Sequence, residues 1–269
     1  MSGTKPPRGV DCHAHVFSAD APAVANARYR PAYAATLAAW MAAWRVGGIT
    51  HGVLVQPSFF GTDNREMLAA LRSEPGKLRG VAAVDPGVSD AELEAFGEAG
   101  VRAIRLNLSG VADYGALSRA PWTALFGRIA ARGWHVETFV DAGEAPRLAA
   151  ALAATSVPLV FDHFANPGTE PARAEATFAA LARMSRERET WIKLSGPYRL
   201  GGADAAALAQ RWIETLGVER LVWGSDWPWT RHEEGRAYVS LREELDRWVG
   251  NQRGPAVLWD NPCRLYRFS

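Results

Sequence analysis

The sequence predicts an α/β protein with a single domain over residues 1–269, folded as a slightly distorted (β/α)8 TIM barrel. Eight short apolar segments, each typical of a strand, alternate with eight helical patterns at roughly even spacing. Strands that are apolar throughout indicate a parallel sheet buried on both faces. Eight such units in about 250 residues match a barrel. The alternative fold, an open doubly wound sheet, fits less well because no Gly-rich phosphate loop follows a strand.

The predicted strands cover residues 10–17, 52–57, 78–84, 101–108, 134–140, 158–162, 191–194 and 221–226. The predicted helices cover residues 33–46, 65–72, 122–131, 145–153, 171–188, 204–216 and 233–249, with one more that opens at Ser89. Ser89 and Glu92 form a capping-box pattern, and Thr62 or Asp63 can cap the helix that follows them. The tail, residues 255–269, is expected to fold back over the barrel.

Composition excludes several classes of function. With a formal net charge of +1, the chain lacks the excess of positive charge that is typical of proteins that bind nucleic acid or an anionic membrane surface. Two cysteines do not form a disulfide framework, no apolar run approaches about 18 residues, and residues 1–8 lack the apolar core of a signal peptide. We therefore expect a soluble, cytoplasmic protein that acts on a small molecule. Assembly into a homo-oligomer is compatible with the sequence but not specified by it.

Two histidines, His13 and His15, stand two residues apart on the first predicted strand. Because side chains on a strand alternate between its faces, both should project to the same side, together with Asp11. Two adjacent imidazoles can chelate a metal or jointly polarise a carbonyl group. The alternative is an ordinary pair of histidines on a half-buried strand. The same alternation should turn Cys12 away from them, as a buried thiol rather than a nucleophile.

Further polar residues occur where strands end and βα loops begin, which is where barrel enzymes place their catalytic groups. The candidates at these positions are His13, His15, Gln56, Ser58, Arg105, Asn107, His163, Arg199 and Asp226. Three of the six histidines and one aspartate thus converge on one rim, which favours a functional site over chance placement. His51 and His135 lie at the opposite ends of their strands, where we expect surface or loop-packing residues. Lys193 should face the barrel interior and pair with a carboxylate.

These positions resemble the pattern of the amidohydrolase superfamily, with HxH on strand one, His on strand six and Asp on strand eight. More narrowly, the chain is similar to the amidohydrolase-2 group, and within it to the 2-pyrone-4,6-dicarboxylate lactonase-like hydrolases. The motifs that carry this likeness are Gln56-Pro57-Ser58, Gly61-Thr62-Asp63-Asn64, the stretch 100–107, Asp162-His163, Lys193-Leu194-Ser195-Gly196, the stretch 223–228 and the stretch 261–266. Together they cover nearly the whole chain.

The resemblance implies a hydrolase that opens a lactone or a related carboxylic ester. It assigns Asp226 as the general base on water. It assigns His13, His15 and His163 as the groups that polarise the carbonyl. Arg105 would hold a substrate carboxylate bidentately. Further candidates for substrate contacts are Tyr29, Gln56, Ser58, Asn107 and Arg199.

Comparison with metal-dependent members favours a site without a metal cofactor. Two-metal members of the superfamily use a carbamylated lysine on strand four, where this chain has Arg105. Mononuclear members usually add a histidine at the end of strand five, where Phe139 stands. The branch that the chain resembles works without a metal. Zn²⁺ is the alternative, and its ligands would be His13, His15, His163 and Asp226.

The chain departs from the pyrone-dicarboxylate pattern at its carboxylate-binding arginines. Val111 and Asn166 stand where two arginines would be expected. Losing both should cost a dianionic substrate several kcal/mol, at about 1.5–3 kcal/mol for each charged hydrogen bond. We therefore expect a monocarboxylate or sugar-derived lactone as substrate. The competing hypotheses are a metal-dependent decarboxylase of the same wider group and a non-catalytic barrel that only binds a ligand.

Overall fold

The structure, a computed structural model, describes residues 8–20, 23–25 and 27–269. Within that range eight parallel strands follow one another around a barrel in chain order. The predicted (β/α)8 barrel is therefore confirmed. The sequence prediction includes residues 1–7 in the same domain, but these residues lie outside the part of the chain that the structure describes. Within the described part of the chain every helix is too short or too polar to cross a bilayer.

The secondary structure matches the predicted order of elements. The strands are β1 Val10–Ala14, β2 His51–Val55, β3 Leu78–Ala82, β4 Val101–Asn107, β5 His135–Phe139, β6 Leu159–Phe161, β7 Thr190–Leu194 and β8 Leu221–Trp223. The α-helices in the described residues are α1 Leu37–Gly47, α2 Arg65–Ser73, α3 Asp90–Ala99, α4 Trp122–Ala131, α5 Ala145–Ala151, α6 Pro171–Met184, α7 Ala205–Leu216, α8 Tyr238–Val249 and α9 Asn261–Tyr266. The helix in the tail, α9, was not predicted.

Two helices begin later than predicted. The Thr36 side chain accepts a hydrogen bond from a backbone amide of the first turn and so caps α1 at that point. Before α8, the Glu233 carboxylate accepts hydrogen bonds from the Tyr33 hydroxyl at 2.7 Å and from the Arg231 amide at 3.0 Å. These contacts hold the start of the predicted eighth helix as a loop.

Apolar residues of the strands pack into two different layers. Leu54 and Ile104 belong to the layer between the strands and the surrounding helices. Val53 and Val160 belong to the cluster inside the barrel, which also contains Tyr266 from the tail. Both faces of the sheet are therefore buried, as the uniformly apolar strands predicted.

The tail closes the amino-terminal end of the barrel. His51 and His135, the first residues of β2 and β5, pack against the rings of Phe268 and Tyr266, with centroids 5.2 and 5.1 Å apart. The folded-back tail is therefore confirmed, and the carboxyl ends of the strands are left for the site. The expectation of a surface or loop-packing position is wrong for His135. It is only 2% exposed and lies 3.3 Å from a Glu137 oxygen inside the barrel.

Strand β1 does not keep the simple alternation that the sequence analysis assumed. Its pairing with β2 slips by one residue between Asp11 and Ala14, which is the effect of a β-bulge. Asp11 consequently faces the helices, where its Oδ2 accepts hydrogen bonds from Trp40 Nε1 and the Tyr238 hydroxyl, both at 2.9 Å. Ser225 also donates to this carboxylate, from its amide at 2.8 Å and its hydroxyl at 2.6 Å. The prediction that Asp11 shares a face with the histidines is wrong.

Because of this bulge, Cys12 and His13 both point into the barrel although they are neighbours in the chain. Cys12 packs in the interior cluster with Val53, and His13 contacts Lys193 there. The expectation that Cys12 points away from the histidines is therefore wrong, whereas its burial is confirmed. His13 and His15 still lie on one side, with ring centroids 5.0 Å apart.

The barrel closes between β8 and β1 through the residues that follow β8. The Asp226 amide donates to the His13 carbonyl oxygen, and the His15 amide donates to the Trp227 carbonyl oxygen, each at 2.8 Å. Gly224 permits this close approach, since a Cβ at that position would lie 2.5 Å from the His13 Cβ. The same hydrogen bonds that close the barrel therefore hold Asp226 beside the two histidines.

We expect Asp11→Ala to lower the free energy of unfolding by about 3 kcal/mol or more, because several buried donors lose their acceptor at about 1–3 kcal/mol each. Asp63→Ala is the matched control, since Asp63 pairs with Arg65 near the surface, where an ion pair contributes about 0–1 kcal/mol. Urea unfolding measures both variants. Equal losses for the two would contradict a role of Asp11 in closing the barrel.

Candidate active site

The four residues predicted to form the site come together at the carboxyl end of the barrel. The His13 ring lies 5.0 Å from the ring of His15 and 5.1 Å from that of His163, between centroids. The Asp226 Oδ1 atom lies 3.7 Å from His13 Nε2 and 3.8 Å from His15 Nε2. All four side chains are buried. His13 on β1, His15 just after it and residues from the loops after β6 and β8 thus form one cluster of three imidazoles and one carboxylate.

Asp226 has one occupied and one free carboxylate oxygen. Its Oδ2 accepts hydrogen bonds from the Tyr198 hydroxyl at 2.7 Å and from Arg199 Nε at 2.6 Å. Its Oδ1 is buried and has no hydrogen-bond partner among the described residues. Burial opposes ionisation, but the Arg199 guanidinium and the neighbouring histidines hold the pKa of Asp226 well below its usual range. Asp226 is therefore an anion whose Oδ1 is available to a water molecule or to substrate.

The segment after β6 has an unusual backbone that places His163 in the cluster. Residues 163–166 all have positive φ, between 41 and 59°, and none of them is glycine. Asp226 also has a positive φ, of 57°. Left-handed conformations cost non-glycine residues free energy and are concentrated at functional sites. Asn166 lies in this turn and donates to the Val140 carbonyl oxygen.

His15 and His163 are neutral imidazoles at physiological pH. Burial is the main cause, and it lowers the pKa of each to about 4, with the nearby Arg105 acting in the same direction. His15 Nδ1 lies 2.7 Å from the Val55 carbonyl oxygen, an acceptor only, so that this nitrogen carries the proton. The Nε2 lone pair of His15 therefore faces Asp226.

A cavity of about 190 Å³ opens beside the cluster. A second cavity of about 380 Å³ shares part of this lining, so the space for substrate is not limited to the first cavity. The predicted residues that line the first cavity are His15, Tyr29, Ser58, Arg105, Asn107, His163, Arg199 and Asp226. His13 is fully buried behind this lining.

Gln56 is placed differently from the other predicted contact residues. Its side-chain amide donates to the carbonyl oxygens of Asp63 at 2.7 Å and Gly61 at 3.3 Å, which orients the loop after β2. Its own carbonyl oxygen accepts a hydrogen bond from Arg105 Nη1 at 2.8 Å. The Arg105 Nε atom is buried and has no hydrogen-bond partner in the described part of the chain. Arg105 is therefore held in place with donor capacity left for an anionic group.

The cavity has further lining residues that the sequence analysis did not select as substrate contacts. They are Arg28, Pro57, Phe59, Ser109, Phe139, Thr230 and Arg231. Arg28 donates to Ser109 Oγ at 2.7 Å and to Asn107 Oδ1 at 3.2 Å, so the long loop after β1 is joined to the end of β4. Arg28 and Arg231 both lie in loops that follow strands with catalytic candidates. Examination of whole βα loops, rather than of strand ends alone, would have identified them.

A buried network of charges lies next to the cluster, inside the barrel. Lys193 Nζ lies 2.5 Å from Glu137 Oε2, 3.0 Å from Asp162 Oδ1 and 3.2 Å from His13 Nδ1. The prediction that Lys193 faces the interior and pairs with a carboxylate is confirmed. All four side chains are fully buried or nearly so. Lys193 therefore connects His13 to the polar interior of the barrel.

Three residues of the cluster could hold a divalent metal ion. His13, His163 and Asp226 offer ligand atoms within 4.8 Å of one another. His13 Nε2 and Asp226 Oδ1 are buried without hydrogen-bond partners among the described residues, which fits an ion or a water molecule. Among the buried charged groups around the cluster, three carboxylates accompany three cations. The carboxylates are Glu137, Asp162 and Asp226, and the cations are Arg105, Lys193 and Arg199.

Known proteins are similar in sequence to nearly the whole of this chain. The family model described as Amidohydrolase matches residues 10–268. A 2-pyrone-4,6-dicarboxylate hydrolase from Comamonas testosteroni is 31% identical over 97% of this chain and 90% of that protein. A 4-sulfomuconolactone hydrolase from Hydrogenophaga intermedia is 25% identical over 97% of this chain and 89% of that protein.

A solved structure confirms the likeness in three dimensions. It is the crystal structure of a probable 2-pyrone-4,6-dicarboxylic acid hydrolase from Acinetobacter baumannii with citric acid bound. The two chains agree with a TM-score of 0.88 at 31% identity, over 97% of this chain and 99% of the other.

Proposed function

This chain belongs to the amidohydrolase family, and we propose that it hydrolyses the ester bond of a small lactone that carries a carboxylate group. The observation that carries the proposal is the free Oδ1 of the ionised Asp226, which lies beside buried imidazoles at a small cavity. Arg105, buried at the same cavity, supplies a binding group for a carboxylate. The likeness to two lactone-opening hydrolases along 97% of the chain supports the same reaction.

In this proposal Asp226 is the general base. Water held at Oδ1 transfers a proton to the carboxylate as its oxygen attacks the lactone carbonyl carbon, and the ring C–O bond then breaks. The proton passes to the leaving oxygen, so that the base is regenerated. Tyr198 and Arg199 occupy Oδ2 and thereby fix the direction of Oδ1. The low pKa keeps Asp226 ionised but limits its basicity, so the reaction depends on stabilising the oxyanion as well.

The histidines supply that stabilisation. Negative charge develops on the carbonyl oxygen during attack, and fixed N–H donors in a water-poor site stabilise it strongly. His13 and His163 are the proposed donors, and the Nε2 lone pair of His15 accepts a hydrogen bond from the attacking water. The proposed reaction needs no metal. If a Zn²⁺ ion were bound, His13, His163 and Asp226 would hold it, and it would polarise the same carbonyl group.

We propose that the substrate is a monocarboxylate or sugar-derived lactone. Its carboxylate would bind Arg105, and its hydroxyl groups would contact Tyr29, Ser58 and Asn107. The cavity holds no arginine from the two places where the dicarboxylate pattern has them. However, Arg28 and Arg231 line it from other loops, which weakens the sequence argument against a second carboxylate. Direct comparison of substrates with one and two carboxylates decides between them.

A metal-dependent decarboxylase is the second candidate function. The observation that favours it is the set of buried ligand atoms on His13, His163 and Asp226. A barrel that only binds a ligand is disfavoured, because burial of a carboxylate oxygen without a partner is costly and needs a compensating function.

We expect Asp226→Asn to lower kcat for lactone hydrolysis about 10³-fold while the lactone still binds, because an amide cannot accept the proton of water. Turnover is followed by acid release at constant pH, and binding by calorimetry with a slowly hydrolysed lactone. Asp63→Asn, outside the cavity, is the matched control and should keep full activity. Turnover by Asp226→Asn at the level of this control would refute the general-base role.

We expect Arg105→Lys to raise KM for carboxylated lactones about tenfold and to leave KM for neutral lactones unchanged, because lysine cannot form the bidentate pair. Arg65→Lys, at a side chain that is 82% exposed, is the control. Steady-state kinetics on a panel of lactones gives both values. If the pyrone dicarboxylate were hydrolysed faster than monocarboxylate and aldonate lactones, the proposed substrate class would be wrong but the reaction would stand.

We expect dialysis against a chelator to leave lactone hydrolysis unchanged, because protein cations and imidazoles supply the positive charge. Metal content is measured by mass spectrometry on the same samples before and after dialysis. Stoichiometric zinc, with activity lost on its removal and restored by its return, would overturn the metal-free reaction. Release of CO₂ from aromatic carboxylates would identify the decarboxylase instead.

A further inference from the structure

The two histidines of the HxH pair do not have equivalent surroundings. His15 donates from Nδ1 to the Val55 carbonyl oxygen. His13 instead has the Lys193 ammonium group 3.2 Å from its Nδ1 atom. An ammonium group has three donors and no acceptor. The Nδ1 atom of His13 must therefore accept a hydrogen bond, whereas that of His15 donates one.

The other neighbours of Lys193 agree with this assignment. Its N–H groups meet acceptors on Glu137 and His13, and Asp162 Oδ1 lies 3.0 Å away as an ion-pair partner. Asp162 Oδ1 also lies 3.3 Å from His13 Nδ1, which would allow the opposite arrangement with His13 as donor. That contact lacks hydrogen-bond geometry, since neither oxygen of Asp162 has a hydrogen-bond partner in the described part of the chain. The direction of the His13 ring favours Lys193 as the donor.

A neutral imidazole that accepts at Nδ1 carries its proton on Nε2. The contact with Lys193 also excludes a doubly protonated ring, because an imidazolium has no acceptor nitrogen. Its Nε2 atom lies 3.7 Å from Asp226 Oδ1 and has no partner among the described residues. His13 thus presents an N–H donor to the site, and His15 presents a lone pair.

We propose that Lys193 is a positioning residue that fixes His13 as the Nε2–H tautomer, so that His13 donates to the carbonyl oxygen of the substrate. The part that concerns the substrate rests on the proposed function. The tautomer has a second consequence, because a protonated Nε2 cannot be a metal ligand. Moving the proton to Nδ1 would place it against the Lys193 ammonium group. Lys193 therefore disfavours a metal at His13 as well as orienting its donor.

The wild-type protein gives the first test. Long-range ¹H–¹⁵N correlation spectra of protein labelled with ¹⁵N-histidine at pH 7 to 8 distinguish the two tautomers, and His13→Gln identifies the His13 signals. We expect a protonated Nε2 and an unprotonated Nδ1 for His13. A protonated Nδ1 would overturn the proposal, whether or not the protein hydrolyses lactones.

A matched pair of variants tests the role of Lys193 in turnover. Lys193→Gln and Lys193→Met both remove the buried positive charge, but only glutamine keeps an N–H donor. We expect Lys193→Gln to keep the Nε2–H tautomer and a kcat within about tenfold of wild type. We expect Lys193→Met to lose that tautomer and to lower kcat about 100-fold with little change in KM, the usual effect of losing one oxyanion donor.

Metal binding provides an additional measurement on the same proteins. After incubation with zinc and desalting, Lys193→Met should retain more zinc than wild type or Lys193→Gln. Equal kcat, tautomer and zinc content in the two variants would overturn the positioning role. If both variants fail to fold, the wild-type spectrum decides alone. Absence of lactone hydrolysis in wild type, with the expected tautomer present, would refute the proposed function and leave the tautomer assignment intact.

Discussion

Closure of the barrel between β8 and β1 is the constraint on which the site depends. On the outer side, the Asp11 carboxylate joins Ser225 after β8 to Trp40 and Tyr238 on the surrounding helices. On the inner side, backbone hydrogen bonds hold Asp226 beside His13. Burial raises the pKa of Asp11, although its donors oppose the shift. Burial of this carboxylate is unfavourable, but its contacts between β8 and β1 set the position of the proposed base relative to the histidines.

Charge inside the barrel is balanced rather than excluded. A continuous set of contacts runs from the Tyr266 hydroxyl through Glu137 and Lys193 to His13. Such buried networks contribute little net stability, since desolvation offsets attraction, but loss of one member leaves an unpaired charge. The main effect of this network is therefore to fix the positions of its side chains and the directions of their hydrogen bonds. It links the tail, which closes one end of the barrel, to the imidazole that serves the opposite end.

The sequence by itself determined the fold and the central cluster. Uniformly apolar strands alternating with helical patterns specify a parallel barrel, because both faces of each strand must be buried. Parallel strands in a closed barrel have all their carboxyl ends at one mouth, so polar residues at those ends must meet there. That reasoning was sufficient to bring His13, His15, His163 and Asp226 together, although they are distant in the chain. It also placed Lys193 inside the barrel.

Only the tertiary structure decided which way individual groups face. The β1 bulge depends on pairing with β2, and it reversed the predicted directions of Asp11 and Cys12. The paths of the long loops depend on contacts across the mouth, which is why Arg28 reaches the cavity. The proton position on His13 depends on Lys193, which is 180 residues away in the chain. Local patterns specify elements and their faces, whereas register, loop path and hydrogen-bond partner are properties of residues that meet only after folding.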